Sequence, residues 1–297
     1  MPDENDVNWL AGRFERERGR LTAVAYWMLG SSIDAEDAVQ ETWIRLNRVD
    51  AAEVDNLSAW LTTVVARVSL NMLRSRRTRR EQPLEPPEAL DPSVDQDVQT
   101  QPEPQAVLAE SVGLALLVVL DTLSPAERLA FVLHDMFDLP FEDIAPLVDR
   151  TPTATRQLAS RARRRVRGSD PPPGRDVVRQ RRLVEAYLAA VRGGDFEGLV
   201  ALLDPDVVLH ADRTAASTPT PRVLRGAQAV AHGAVASAVR APDTAVALVD
   251  GAVGLVMAVD GRLAVALTFQ TAGERITAID VIADPERLPE VEVSVLD

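Results

Sequence analysis

No cysteine and no lysine occur in the 297 residues, aromatic side chains make up only 4% of them, and histidine appears three times. Each shortage removes a class of chemistry. Without cysteine there is no disulfide framework, no thiolate metal site and no cysteine nucleophile. His134, His210 and His232 are too scattered for a His-rich metal site, so neither a metal nor a cofactor is expected. The longest apolar run, Val112 to Leu120, falls far short of the roughly 20 residues that span a bilayer, and the opening MPDENDVNWL is acidic where a secretion signal is basic. The expectation is a soluble, cytoplasmic chain with no membrane partner. All 32 basic residues are arginine. Beside the excess of Ala, Val, Asp and Pro, this reads as the codon bias of a high-G+C genome rather than as chemistry.

Acids outnumber bases by 45 to 32, and the net charge of −13, taken as one number, argues against a nucleic-acid partner. Its distribution argues the other way. Residues 1–80 and 111–177 are each neutral, whereas 81–110 hold eight acids and no arginine, and 178–297 hold a surplus of five acids. Inside the neutral segments arginine is bunched. Arg67, Arg74, Arg76, Arg77, Arg79 and Arg80 form one run and Arg156, Arg161, Arg163, Arg164, Arg165 and Arg167 another, neither interrupted by an acid. One such run is as well explained by a solvated helix face; two, each closing a helical unit, form a pair of basic patches.

Leu10, Phe14, Leu21, Val24, Ala25, Met28 and Leu29 recur at helical spacing over residues 9–30. Gly30 ends that helix, and Ser31 or Ser32 caps a second reaching Leu46, with acids in its first turns and Arg45 late. A third, from Ser58 to about Arg77, carries Trp60, Leu61, Val64, Val65, Val68 and Leu73 as its stripe. Six prolines and eight acids without periodicity then make 81–110 an extended, self-repelling linker. Helix returns over about 105–122, and again from a Ser124-Pro125-Ala126-Glu127 start to about Phe137. Two more helices, Phe141 to Val148 and Pro152 to Arg167, are joined by Asp149-Arg150-Thr151, with Thr151 as N-cap. That is helix-turn-helix spacing, with Asp149 in the left-handed position usually given to glycine. Beyond Pro171-Pro172-Pro173-Gly174 the pattern turns α+β. Helices are expected near 176–193, 195–203 and 226–239, and strands at 206–210, 244–249, 252–259, 262–271 and 275–283. Asp260-Gly261 is a type I′ hairpin signal and Ala272-Gly273 a second turn.

Asp34-Ala35-Glu36-Asp37-Ala38-Val39-Gln40-Glu41-Thr42-Trp43-Ile44-Arg45-Leu46 resembles region 2.2 of sigma-70-type transcription initiation factors. Trp60-Leu61-Thr62-Thr63-Val64-Val65-Ala66-Arg67 and Leu73-Arg74-Ser75-Arg76 resemble their regions 2.3 and 2.4. Leu123-Ser124-Pro125-Ala126-Glu127-Arg128, Phe131-Val132-Leu133-His134-Asp135, Phe141-Glu142-Asp143-Ile144-Ala145 and the stretch from Arg156 to Arg163 resemble region 4. With regions 1 and 3 replaced by a linker, the layout is similar to that of the extracytoplasmic-function (group 4) sigma factors. Asp195-Phe196-Glu197, Leu202 to Val207, Arg225-Gly226 and Asp284-Pro285-Glu286-Arg287-Leu288 resemble the SnoaL-like extension of one subset of that group. The implied fold class is multidomain: a region 2 helical bundle (1–80), an acidic linker (81–110), a region 4 helix-turn-helix (111–170), a Pro-rich linker (171–177), an α+β SnoaL-like cone-shaped domain (178–288) and a tail (289–297).

The resemblance implies a non-enzymatic sigma factor that binds core RNA polymerase and promoter DNA and starts transcription at −10 and −35 elements. Asp34, Glu36, Asp37, Gln40 and Glu41 would meet the polymerase. For the −10 element, the loop 47–57 would hold a flipped base, with Asn56 and Leu57 as candidates, and Arg67, Arg74, Arg76 and Arg77 would hold phosphates. Thr153, Arg156, Gln157, Ser160 and Arg161 would face the −35 major groove, with Leu158, Ala162 and Val166 packed behind them. Trp43 and Trp60 are read as core residues. The C-terminal domain would regulate by packing on the linker and region 2, its tail Asp284, Pro285, Glu286, Arg287 and Leu288 taking part. Free protein would bind promoter DNA poorly, because eight linker carboxylates lie between the two basic patches.

Three departures from the family pattern limit the carry-over. Asn71 stands where an aspartate is usual, Asp212-Arg213-Thr214-Ala215 replaces a Gly-rich stretch, and Pro83-Leu84-Glu85-Pro86-Pro87 replaces a Trp-containing linker motif. Two alternatives stay open. One is a DNA-binding regulator that never meets polymerase. The other is a SnoaL-like sensor or enzyme with a small-molecule ligand, for which His210, Asp212, His232 and Asp280 are the candidates, His210 and Asp212 sharing a strand face.

Overall fold

Helix formation in the N-terminal part follows from apolar stripes closed by strong caps. The computed structural model describes residues 4–49, 56–80, 104–168, 176–238, 241 and 243–296. The linker 81–103, most of the loop 47–57 and the Pro-rich break lie outside the described residues. Helix α1 (Glu4–Leu29) buries Leu10, Phe14, Leu21, Val24, Ala25, Met28 and Leu29 on one stripe. Gly30, at φ +76°, ends it in the left-handed conformation that suits glycine. Ser31 then caps α2 (Ser32–Leu46) by accepting from the Asp34 N–H at 3.3 Å. α2 turns Ala35, Ala38, Val39, Thr42 and Leu46 inward and packs with α1 and α3 (Leu57–Arg80) as a three-helix bundle. Thr42, Thr62 and Ser69 are buried without cost to the bundle, since each hydroxyl donates to the carbonyl four residues earlier.

After α4 (Pro104–Asp121), Ser124 and Glu127 form the expected capping box at the start of α5 (Pro125–Phe131). α5 runs into a π-helical turn, Val132–Met136. Next come α6 (Phe141–Ile144), a 3₁₀ turn (Ala145–Leu147) and α7 (Pro152–Arg167). The turn before α7 is built as the sequence implied: Asp149 sits at φ +53°, and Thr151 Oγ1 accepts from the Ala154 N–H at 3.2 Å. Burial along α5 carries more information than its boundaries. Arg128, Leu129, Ala130, Phe131, Val132 and Leu133 are all at most 8% exposed, so the chain from the middle of α5 into the π turn has no solvent face. α5 packs on α3 and reaches α1 through Arg128, and the π-helical turn after it packs on α1 and α6.

The chain divides into two compact units. Met1–Val107 and Ser124–Arg161 form the first, and Leu108–Leu123 with Ala162–Asp297 the second. In the second unit a seven-stranded sheet has the order β2-β1-β6-β5-β4-β3-β7. Its strands are β1 (Leu203–Ala211), β2 (Arg222–Arg225), β3 (Thr244–Val249), β4 (Ala252–Val259), β5 (Arg262–Ala272), β6 (Arg275–Ile282) and β7 (Val293–Ser294). Among the described strands only β1 and β6 pair in parallel. Asp260 and Gly261 both have positive φ, as a type I′ turn requires, and Asp250-Gly251 repeats the arrangement between β3 and β4.

One face of this sheet is covered by α8 (Val177–Gly193), α9 (Phe196–Leu202) and α11 (Ala227–Ala236), with Tyr187, Leu199, Leu203, Val230, Leu255 and Phe269 in the shared core. The other face is covered by α4. Ala115, Val118 and Val119 pack on Ala245, Ala247, Val256, Ala258, Ala266 and Ile282. Thus an α+β domain with helices on the inner face of a mixed sheet stands where the SnoaL-like expectation put it. α10 (Arg213–Ala216), β2 and β7 are short elements that periodicity did not reveal.

Candidate nucleic-acid interface

The last carbonyls of α1 have no intrahelical donor and lie at the negative end of its dipole, and two arginines meet them. Arg76 of α3 donates to the Leu29 carbonyl at 3.1 Å, and Arg128 of α5 donates through Nε to the Trp27 carbonyl at 3.0 Å. The other end of the Arg76 guanidinium is paired with Asp34, both side chains being about three-quarters buried. A residue expected to hold promoter phosphate and one expected to meet polymerase therefore hold each other. Arg128 was legible only as part of a motif; at 2% exposure it is a seam residue between the three-helix bundle and the helix-turn-helix.

Of the remaining α2 acids, Glu36 pairs with Arg18 at 3.2 Å and Glu41 with Arg45 at 2.8 Å, while Asp37 and Gln40 are exposed. Trp43 is half-buried against the Phe14 ring, 5.0 Å between centroids, and Trp60 is half-buried as well, so each keeps an accessible edge that full core placement would have removed. On α3, Arg67, Arg74 and Arg77 are exposed. Asn56 caps α3, accepting from the Ala59 N–H at 3.1 Å, and Leu57 is 9% exposed. The two nevertheless line a cavity of about 290 Å³ with Arg13, Arg16, Glu17 and Ser58, beside the loop that would hold a flipped base. Ser58 donates to Glu17 at 2.9 Å and accepts from Arg20 at 3.4 Å.

On α7 the two faces separate as expected. Thr153, Arg156, Gln157, Ser160 and Arg161 are exposed, Leu158 and Ala162 are buried, and Val166 is half-buried. Arg156 lies over the ring of Phe141, the first residue of α6, 5.0 Å from its centroid, a cation–π contact that links the two helices. Arg161 donates to Glu127 at 2.9 Å, fixing α7 against the start of α5. Burial alone would raise the Glu127 pKa, but the Ser124 hydroxyl and N–H and the Arg161 guanidinium outweigh it and hold the carboxyl below its ordinary value. The stability it confers is therefore fully present above about pH 4.3, the unfolded value, and is lost as pH falls through the lower folded value. In urea titrations Glu127→Gln should cost about 1 kcal/mol at neutral pH. That gap should close below about pH 4, and a gap that persists in acid would show that the charge is not what stabilises this joint.

The tail and the C-terminal candidates fall differently from expectation. β1 ends at Ala211, so Asp212 does not share a strand face with His210. Its carboxylate caps α10 through the Ala215 N–H at 2.8 Å and accepts from the N–H groups of Ala283 and Asp284 at 2.7 and 2.9 Å. Burial opposes its ionisation, but these donors and Arg287 hold its pKa below the ordinary value. Asp212 thereby anchors the Asp284–Leu288 tail to its own domain, and Leu288 packs with the cluster that includes α4. His210 is exposed and pairs in register with Asp280 on the sheet face turned away from the inner core. Among the described residues no group of three or more His, Asp or Glu could hold a metal ion, and no helix is long and apolar enough to cross a membrane.

Comparison with known proteins places these elements. Models of sigma-70 region 2 and sigma-70 region 4 match residues 13–79 and 113–166. The ECF RNA polymerase sigma factor SigJ of Mycobacterium tuberculosis is 40% identical over 225 residues, 73% of this chain and 69% of that protein. The probable ECF RNA polymerase sigma factor SigI of the same species is 35% identical over 208 residues, 68% of this chain and 70% of that one. The crystal structure of SigJ aligns over 93% of this chain and 97% of its own at 32% identity, with a TM-score of 0.44.

Proposed function

We infer the role of the chain from its family: it belongs to the extracytoplasmic-function RNA polymerase sigma factors. It binds core RNA polymerase and promoter DNA and directs the start of transcription. The exposed arginines Arg67, Arg74 and Arg77 of α3 serve the −10 side, together with the cavity that holds Asn56 and Leu57. The exposed face of α7 reads the −35 side. Asp37 and Gln40, with Glu36 and Glu41 once Arg18 and Arg45 release them, are the polymerase contacts on α2. Arg76 and Asp34 keep the bundle in shape.

The observation that carries the mechanism is the seam at Arg128. Elements named for positions −10 and −35 lie roughly 25 base pairs apart, about 85 Å at 3.4 Å per pair. A compact unit of roughly 145 residues is only about 40 Å across. A first unit of that size, in which residues 128–133 are buried between the two modules, cannot engage both elements at once, so free protein is closed, and core polymerase must separate the two modules before the promoter is read. This adds a structural cause to the poor promoter binding expected from the acidic linker.

The C-terminal domain regulates rather than catalyses on this reading. His210 and Asp280 point away from its inner cavity and Asp212 is occupied by backbone donors. The sheet meanwhile holds both ends of the region-4 segment: α4 on its outer face and the end of α7, where Val295 N–H donates to the Val166 carbonyl at 2.9 Å and Arg165 to the Thr122 carbonyl at 2.9 Å. Run-off transcription with purified core polymerase tests this. Full-length chain should give a discrete start that core alone does not. Removing residues 289–297, which frees the end of α7 and takes Val291, Val293 and Val295 out of the cluster at α4 while leaving Ala245, Ala247, Val256, Ala258, Ala266 and Ile282 beneath it, should change the yield severalfold, and an unaltered yield would contradict the regulatory assignment.

A further inference from the structure

The inner face of the C-terminal sheet is not filled. A cavity of about 570 Å³ lies between it and the helices above, within the usual range of small-molecule sites, about 300–1,000 Å³. Its origin is compositional. The roof is made of Ala215 and Ala216 of α10 and Ala229, Gly233 and Ala234 of α11, side chains too short to reach the sheet. The floor is one register row across five strands: Arg222 pairs with Ala211, Ala211 with Val281, Val281 with Leu267, and Leu267 with Leu255. Between its end positions that row, Ala211, Val281 and Leu267, is entirely apolar.

The two long hydrogen-bond donors of its lining, Arg222 and Tyr187, stand toward opposite ends of this slot. Arg222 sits on the edge strand β2, on the same face as Leu224, and is exposed at the mouth. Tyr187 of α8 is 4% exposed and lines the inner part, its ring edge-on to Phe269 of β5 at 5.3 Å. Among the described residues no hydrogen-bond partner reaches its hydroxyl, and burial alone pushes its pKa upward, so it stays a neutral donor. A hydroxyl on the wall of a largely apolar cavity is satisfied only by what occupies that cavity, so an acceptor there is favoured. Of the other polar wall residues, Ser217, Ser237 and Thr244 are small hydroxyls, Ser237 donating to the Ala234 carbonyl at 2.8 Å, and His232 has its Nδ1 at 2.9 Å from the Gln228 carbonyl and its ring against Phe196, so it is held as part of the helix.

We propose that this slot binds a flat, mainly apolar carboxylate, its acid group on Arg222 and an oxygen at its far end accepting from the Tyr187 hydroxyl. From β2 to β5 is three strand spacings, about 14 Å, which sets the length of the molecule at on the order of 10–14 Å. Planarity follows from the shallow space between a sheet and two alanine-lined helices, and an acid is favoured over an amine because Arg222 and the Tyr187 hydroxyl line the walls and no carboxylate does.

The test uses the full-length chain and two probes, 6-hydroxy-2-naphthoate with its carboxamide for comparison, and decanoate, with binding read by calorimetry and by the fluorescence of the naphthoate. The naphthoate should bind with a Kd below about 100 µM, and its carboxamide about tenfold more weakly. Arg222→Gln should weaken the acid about tenfold and Tyr187→Phe about fivefold. Ala229→Trp, at an exposed position on the cavity wall, should abolish binding without altering the melting temperature. Absence of saturable binding by either acid up to about 1 mM overturns the site. Binding that survives Ala229→Trp overturns its location, and binding lost in Ala229→Trp but indifferent to Arg222→Gln overturns the carboxylate assignment.

Discussion

Replacing Arg156 and Gln157 together by alanine is expected to lower transcription from a −35-dependent promoter by about 30-fold or more, while leaving the chain folded and bound to core polymerase. Both residues are exposed on the face of α7 opposite Leu158 and Ala162, so their removal disturbs little packing; the contact of Arg156 with the Phe141 ring is worth about 0.5–1 kcal/mol at an exposed site. A well-placed bidentate base contact supplies about 1–3 kcal/mol of discrimination, so two such contacts supply at least about 2 kcal/mol, the origin of the 30-fold figure. The same double substitution should flatten the preference among −35 sequences. Replacing Arg164 and Arg167, by contrast, should weaken all sequences alike and reduce the salt dependence, because such residues contact phosphate. A promoter-selection experiment distinguishes the two patterns. Unchanged sequence preference in the Arg156→Ala, Gln157→Ala variant would remove α7 as the reading helix.

Arg128→Ala is expected to loosen the seam between the two helical modules by about 2–3 kcal/mol, shifting the closed-to-open balance by about 30- to 140-fold. The side chain is 2% exposed and its Nε donates to a helix-terminal carbonyl that otherwise has no intrahelical donor. A charged hydrogen bond of that kind is worth about 1.5–3 kcal/mol, and the Trp27 carbonyl loses its donor as well. Far-ultraviolet circular dichroism should change little, since neither module loses a helix. What should change is promoter binding by free protein, which should rise, and the lower of any two unfolding transitions, which should fall. A variant with lowered stability and unchanged free binding would mean that Arg128 is a core residue without a gating role.

Local structure was largely legible because the caps and turns are strongly marked. Ser31, the Ser124–Glu127 box, Thr151 and Asp260-Gly261 each dictate a backbone conformation within a few residues, and each took it. Partnership between segments was less legible. Leu114 to Leu120 is apolar without interruption, and so is Leu129 to Leu133. A helix with no polar face announces that it is covered on every side but not by what. That is why α4 could not be assigned to the outer face of the C-terminal sheet, nor α5 to a position against α1 and α3, from periodicity alone. The same limit applies to single side chains. Arg76 looked like a phosphate ligand because it stands in an arginine run, and its pairing with Asp34 and the Leu29 carbonyl depends on three helices meeting at one point. His210 and Asp212 looked like neighbours on a strand until the strand ended between them.

The absence of native cysteine makes the central claim directly measurable. Cysteines introduced at the exposed positions Asn71 on α3 and Arg150 before α7 can be labelled as a donor and acceptor pair without any competing thiol. Energy transfer between them should be efficient in the free protein, where both positions belong to one compact unit, and should collapse when core RNA polymerase is added. Efficient transfer that persists in a complex able to initiate transcription would contradict the account, as would a free protein that already shows the low transfer of the complex.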